Sequence, residues 1–432
     1  MEIIFIGIAF VFLAVLGAPL FSLIGALALY LFHTSGGEST FVIAELTRLA
    51  EFPALIAIPL FTFGGYVLAE SKTPQRLVNL SQAIVGWIPG GLAVVAIFSA
   101  AIFTAFTGAS GVTIVALGGL LFPVMLKENY PEKFSLGLLT TSGSLGLLFP
   151  PSLPIILYGL VAQISIDKLF IAGLLPGILI VVALSVYAIS TGIRSNVPKI
   201  KFEWNNVWLR IKESAWEIPL PFLVIGGIYG GIFTATEAAA VMAFYVLVIE
   251  VFIYKDLKLF SDSPDGRTSV PKVMQKSMLL VGAMFIVLGT ALGLTNYFID
   301  EQIPQKLFEW IHTFIENKFT FLVLLNCILL VINMVEIFSA IIIVVPLIIP
   351  IANQYGVDPI HLGIIFLLNL EIGYMLPPLG LNLFIGSFRF ERPISTMYRV
   401  TLPFIAILFA ILMLVTYFPQ LSLWFVEMFS IR

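Results

Sequence analysis

Long apolar runs dominate the chain, near residues 3–33, 54–70, 77–126, 134–161, 169–193, 218–254, 277–298, 319–351, 360–387 and 401–427. A bilayer core takes about 20 residues of helix, so several runs exceed one simple crossing. Residues 77–126 hold no Asp, Glu, Lys or Arg. The pattern predicts an all-α polytopic membrane protein. The first run follows Met1-Glu2 with no basic segment and is too long for a cleavable signal, so it is expected to stay as the first span. Only two long stretches are hydrophilic, 194–217 and 255–276. In the first, Trp204, Trp208, Ile211 and Ala215 recur at i, i+4, i+7 and i+11, which predicts an amphipathic helix lying in the interface. The second holds Ser261-Asp-Ser-Pro-Asp-Gly266 and reads as a solvated loop.

Two of the runs carry the same interruption. Gly146, Pro150 and Pro151 are matched by Gly373, Pro377 and Pro378, each 227 positions on, and Leu-Leu-Phe-Pro123 aligns with Leu-Ile-Ile-Pro350 at the same offset. A proline pair removes amide donors and disfavours the helical conformation before it, so each span must break. In lipid a broken helix persists only where its freed backbone groups face protein, water or a solute, and paired breaks in two repeats point to a transporter's binding site. Gly108-Ala-Ser-Gly111 and Asn333-Met-Val-Glu336 interrupt two further runs, predicting re-entrant hairpins near 97–126 and 322–351 beside broken helices at 134–161 and 360–387.

The expected organisation is a first repeat over 1–193, the amphipathic linker over 194–217 and a second repeat over 218–432. Lys127 and Lys133 at the base of the first hairpin, and Arg194, Lys199, Lys201, Arg210 and Lys212 in the linker, mark the cytoplasmic side. Arg389, Arg392 and Arg399 mark the same side, whereas 352–359 has no basic residue. The second hairpin then opens outward, and the repeats are inverted.

Composition narrows the chemistry. Hydrophobic residues make up 59% and charged residues 11%, too few polar groups to cover a soluble surface. Cys327 stands alone, and His33, His312 and His361 form no metal-ligand pattern. Three carboxylates lie deep in the apolar runs. Glu237, after Thr234-Ala-Thr236, reads as a first-turn acid in a capped helix. Glu336 and Glu371 are candidates for proton or cation coupling. Gly108-Ala-Ser-Gly111 also admits an intramembrane serine protease, but no histidine is placed to serve Ser110 as base. Hydroxyls, amides and unwound carbonyls gathered at the breaks suit a hard cation, and half-helix N-termini suit a carboxylate. Thr107, Ser142, Ser152, Asn369 and Asn382 are the side chains proposed to meet the solute.

The chain resembles the large membrane subunit of tripartite ATP-independent periplasmic (TRAP) transporters. The likeness runs through Gly146-Leu-Leu-Phe-Pro-Pro-Ser-Leu-Pro-Ile-Ile-Leu-Tyr-Gly159, Leu169-Phe-Ile-Ala-Gly-Leu-Leu-Pro-Gly177, Gly231-Ile-Phe-Thr-Ala-Thr-Glu-Ala-Ala-Ala-Val241, Pro377-Pro-Leu-Gly-Leu-Asn382 and Leu414-Val-Thr-Tyr-Phe-Pro-Gln-Leu-Ser-Leu-Trp424. It implies an elevator-type secondary transporter in the bacterial inner membrane, driven by sodium, that imports organic acids such as carboxylates or sialic acids. It also implies a small four-span membrane subunit and a periplasmic binding protein as partners, with no cofactor beyond the coupling Na⁺ and no nucleic acid. Carried over by position, one sodium site takes Ser110, Gly146, Phe149 and Pro151, and the other Glu336, Gly373, Leu376 and Pro378. Leu376 departs from the family's usual threonine and removes a hydroxyl from the second set. A stand-alone carboxylate symporter of similar architecture is the alternative.

Overall fold

The computed structural model describes residues 10, 12–13, 18–36, 38, 40–48, 52–197, 201–260, 267–333 and 337–430. The opening residues of the first apolar run, 3–9, lie outside them, as do the Ser261–Gly266 segment and Glu336. The described chain is helical, with a single isolated bridge between Lys258 and Ser269. Its helices are α1 (Leu20–Thr34), α2 (Thr40–Arg48), α3 (Ala57–Glu70), α4 (Thr73–Val85), α5 (Gly91–Thr107), α6 (Ser110–Lys127), α7 (Glu132–Ser142), α8 (Leu153–Ala162), α9 (Ile166–Arg194) and α10 (Trp204–Glu213). After them come α11 (Pro219–Tyr229), α12 (Ala235–Ile253), α13 (Val270–Asp300), α14 (Ile303–His312) and α15 (Lys318–Ile332). The last are α16 (Ile337–Gln354), α17 (Pro359–Gly373), α18 (Leu381–Phe390), α19 (Ile394–Tyr417) and α20 (Gln420–Ser430). Six described helices are long and apolar enough to cross a membrane, or up to seven if the bent pair Glu132–Leu148 and Leu153–Ala162 is one span.

The repeat written in the sequence is a repeat of helices. The first residues of α5, α6 and α7 are offset from those of α15, α16 and α17 by the same 227 positions. Left-handed residues at Asn129 and Gly356 keep that offset, and both proline pairs, Pro150-Pro151 and Pro377-Pro378, are joined by cis bonds. α5 and α6 form the first hairpin and α15 and α16 the second. Gly108 turns the first at φ 64°, a conformation side chains disfavour, and a Cβ there would also meet Leu153 Cδ1 at 2.5 Å.

The two broken spans run antiparallel. The start of α7 meets the end of α18, where Arg392 Nε lies 2.7 Å from Glu132 Oε1. The start of α17 meets the end of α8, where the Tyr158 hydroxyl donates to the Pro359 carbonyl at 3.1 Å. Packing between repeats is reciprocal: α6 lies on α18 and α16 on α8, while α7 lies on α19 and α17 on α9. Such pairing is what a two-fold relation between repeats requires. The remaining spans, α1, α2, α3, α12 and α13, pack on one another. Gly65 of α3 presses on the backbone of Phe106 and Thr107 at the first hairpin tip.

Thr234 and Glu237 form a reciprocal capping box at the start of α12. α10 forms in the linker, packs on α4 through buried Val207, and leaves Trp204 and Trp208 exposed.

Among the described residues, buried ion pairs gather around Arg76. Arg76 of α4 meets Glu217 Oε1 at 2.6 Å, Glu250 Oε2 at 3.1 Å and Asp256 Oδ2 at 2.7 Å, with the Tyr254 ring 3.9 Å from its guanidinium carbon. Thr73 donates to Glu217 at 2.7 Å. The node fastens α4, which leads into the first hairpin, to the linker and to the end of α12.

Candidate functional site

The hairpin tips and the breaks come together around a polar seam. At the first tip Thr104 Oγ1 lies 2.7 Å from Thr113 Oγ1 and donates to the Gly143 carbonyl at 2.9 Å, which ties both hairpin arms to the end of α7. Ser110 opens α6 beside Gly143, where a Cβ would come within 3.1 Å of the Ser110 carbonyl. Gly146 follows in a short 3₁₀ turn, Leu145–Leu148, and lies against the backbone of Ala101 and Ala105, so close that a side chain would collide. Gly373 presses on Asn333 in the same way: a Cβ added to it would stand 2.7 Å from the Asn333 carbonyl oxygen.

The breaks also share hydrogen bonds. The Phe149 amide donates to the Gly146 carbonyl at 3.0 Å, and the Leu376 amide to the Gly373 carbonyl at 3.1 Å. They differ in cover: Pro151 is buried, whereas Pro378 is exposed and its carbonyl accepts from the Tyr398 hydroxyl at 3.2 Å. Phe149 turns its ring toward Gly177 of α9.

Buried oxygens without partners mark the same region. Among the described residues, Thr107 Oγ1, Thr141 Oγ1, Asn369 Oδ1, Asn382 Oδ1 and both amide atoms of Asn333 have no hydrogen-bond partner. Leaving such atoms bare costs roughly 1–3 kcal/mol each, so a cluster of them is a feature to be explained. Asn369 Nδ2 donates to Asn326 Oδ1 at 2.6 Å, and Asn326 Nδ2 to Thr416 Oγ1 at 3.1 Å, a network between α15, α17 and α19 that sequence reasoning missed. The spacing of Asn326 and Asn333, two helical turns apart on one face, was the available signal. Glu371 is fully buried and neither carboxylate oxygen has a partner. A bare charge there would cost several kcal/mol, so the group requires a proton or a counter-charge.

A cavity of about 890 Å³ lies between this region and the α3–α13 side of the molecule. Gly108 to Val112 of the first tip, Ile337 and Phe338 of α16, Tyr374, and Leu381, Phe384, Ile385 and Phe388 of α18 line one side; Tyr66, Ala69, Glu70 and Leu280 line the other. Neither α6 nor α18 has a side-chain cap: Ser110, Gly111 and Val112 at the start of α6 line this space, whereas at the start of α18 the Asn382 amide donates to the Tyr374 carbonyl at 3.1 Å and the Leu383 amide to the Gly380 carbonyl at 3.0 Å, which leaves Leu381 beside the cavity. The first described residues of α16 line it too. Among the described residues the wall holds no Lys or Arg, and its one acid, Glu70, is paired with Lys276 at 2.6 Å.

Of the residues singled out from sequence, Ser110 lines the cavity. Thr107, Ser142, Ser152, Asn369 and Asn382 are buried behind it. Ser142 donates to the Leu139 carbonyl at 3.4 Å and Ser152 to the Leu147 carbonyl. Asn382 Nδ2 reaches the Thr140 carbonyl at 3.5 Å, across the two repeats. The aromatic wall was invisible to a reading that sought polar groups.

The chain's kinships agree with this architecture. Residues 6–421 match the family model described as tripartite ATP-independent periplasmic transporter, DctM component. The chain is 35% identical to the C4-dicarboxylate TRAP transporter large permease protein DctM of Pseudomonas aeruginosa, over 92% of each chain. It is 32% identical to the sialic acid TRAP transporter large permease protein SiaM of Vibrio cholerae, over 96% of each. It is also 33% identical to the isethionate TRAP transporter permease protein DctMQ of Oleidesulfovibrio alaskensis, over 96% of this chain and 65% of that one. In fold it is similar to the YdaH transporter of Alcanivorax borkumensis, with a TM-score of 0.62 at 14% identity over 87% of each chain. The relatives are permeases, not enzymes, which removes the serine-protease reading of Gly108–Gly111. The chain belongs to the tripartite ATP-independent periplasmic transporter family, as its large permease component.

Proposed function

We propose that this permease imports an organic acid across the bacterial inner membrane on a sodium gradient, by movement of the hairpins and broken helices against the remaining spans. The observation that carries the reading is the cavity lined by the uncapped N-terminus of α6, at Ser110, Gly111 and Val112, and by Leu381 at the start of α18. Amides and helix dipoles directed at one space favour a carboxylate without any cationic side chain. The unpartnered oxygens at Thr107, Thr141, Asn333 and Asn369, with the carbonyls of the two breaks, supply the oxygen-rich surroundings that a sodium ion prefers. Ser110, Gly146, Phe149 and Pro151, and Gly373, Leu376 and Pro378 with Glu336, remain the proposed ion positions.

A small four-span membrane subunit and a periplasmic binding protein complete the proposed assembly. The test is uptake into proteoliposomes holding this chain and the small subunit. Uptake should require both an inward sodium gradient and added binding protein. Robust uptake without the binding protein would turn the reading into a lone symporter, and uptake indifferent to sodium would remove the coupling.

A further inference from the structure

The cavity is strongly one-sided. Among the described residues, every uncapped helix start that faces it belongs to the hairpins and broken helices, and the opposite side offers Tyr66, Leu280 and the acid Glu70. Glu70 is already occupied by Lys276 at 2.6 Å and by the Thr268 hydroxyl at 3.3 Å. Between these sides the wall is mostly carbon, with Phe338 and Phe384 prominent. A second carboxylate on the solute would have to sit among those rings or approach Glu70, against like charge and, among the described residues of that side, with the Tyr66 hydroxyl alone as side-chain donor to replace its water. A polyhydroxylated body would lose hydration at several hydroxyls and find few side-chain partners. An apolar body loses nothing by the same contact and gains from leaving water.

We infer that the solute is a monocarboxylate with an apolar, ring-sized body, an aryl- or alkyl-substituted acid, in place of a dicarboxylate or a sugar acid. Its carboxylate meets the start of α6 at Ser110, Gly111 and Val112, beside Leu381, and its body lies against Phe338, Phe384 and the α3 wall. The inference rests on the organic-acid reading above and sets this chain apart from relatives named for C4-dicarboxylate and sialic acid.

Ala116 of α6 also lines the cavity, and the experiment is protection of a cysteine there, Ala116→Cys in a Cys327→Ser background, from maleimide in the detergent-solubilised full chain with sodium present. The probes are phenylacetate, succinate, N-acetylneuraminate and the neutral phenylacetamide at equal concentration. Phenylacetate should slow labelling by about fivefold or more and the other three by less than about twofold, a difference of the size one unsatisfied buried polar group produces. Protection by succinate or N-acetylneuraminate equal to that by phenylacetate would overturn the apolar-body inference and leave the organic-acid reading standing. Equal protection by phenylacetamide would instead overturn the organic-acid reading, and protection by none would overturn the inference. A second variant, Phe384→Ser, should abolish most of the phenylacetate protection; unchanged protection there would place the body elsewhere and also count against the inference.

Discussion

Gly146 and Gly373 occupy matching positions, and both lie where another helix's backbone comes too near for a side chain. From sequence they are readable as residues that free carbonyls for an ion. The structure adds that they are contact points, Gly146 on α5 and Gly373 on Asn333 at the end of α15. Gly146→Ala and Gly373→Ala should therefore lower stability by about 1–3 kcal/mol, as overpacking does, while also raising the sodium concentration for half-maximal uptake. Thermal unfolding in detergent and uptake against external sodium separate the two effects. A variant with parental values for both would show that neighbouring backbone yields at no cost. Arg76 offers a different test at the same scale. Burial pushes the Glu217 carboxyl up, and the Arg76 guanidinium 2.6 Å away pulls it back toward ionisation. Removing the guanidinium in Arg76→Gln leaves Glu217 raised further, so the folded state holds a proton that the unfolded chain releases. Stability of the variant should then fall as pH rises above the ordinary carboxylate range, with a loss of about 3–5 kcal/mol near neutrality and less at about pH 5. Unfolding measured at about pH 5 and pH 8 checks it, and an equal loss at both would mean the node is held by packing and not charge.

The hairpins and breaks were legible because each is written in local chemistry. Proline pairs, the Gly108–Gly111 turn and the uncharged run 77–126 impose their geometry on neighbouring residues only. The capping box at Thr234 and Glu237 was legible for the same reason. What stayed hidden depends on residues far apart in the chain. Arg76, Glu217, Glu250 and Asp256 each read singly as an interfacial charge, and only the fold brings them to one point. The cavity likewise draws Tyr66 and Leu280 from elements whose sequence says only that they are apolar. The antiparallel breaks give a prediction for these elements in the membrane. Glu132 and Arg392 are in contact, so single cysteines at Lys127 and Arg392, in the Cys327→Ser background, should both label from the cytoplasm. A cysteine at exposed Asn353, at the base of the second hairpin, should label from outside. Labelling of Lys127 and Asn353 from one side would contradict the inverted arrangement.

The whole molecule is interleaved. α6 is covered by α18 and α8 by α16, so neither repeat encloses its own break. A fragment ending at residue 193 should insert yet remain protease-sensitive around 143–152, and co-expression with 194–432 should restore protection. Limited proteolysis of the two preparations decides it, and a protected lone fragment would show that α8 needs no partner from the second half. Interleaving also sets a schedule for biosynthesis. α8 ends at Ala162, whereas α16 begins only at Ile337. At typical translation rates the first break waits roughly 10–40 s for its cover. Through that interval the insertion machinery, and not the finished fold, must shelter the unwound backbone beside Pro150-Pro151 from lipid.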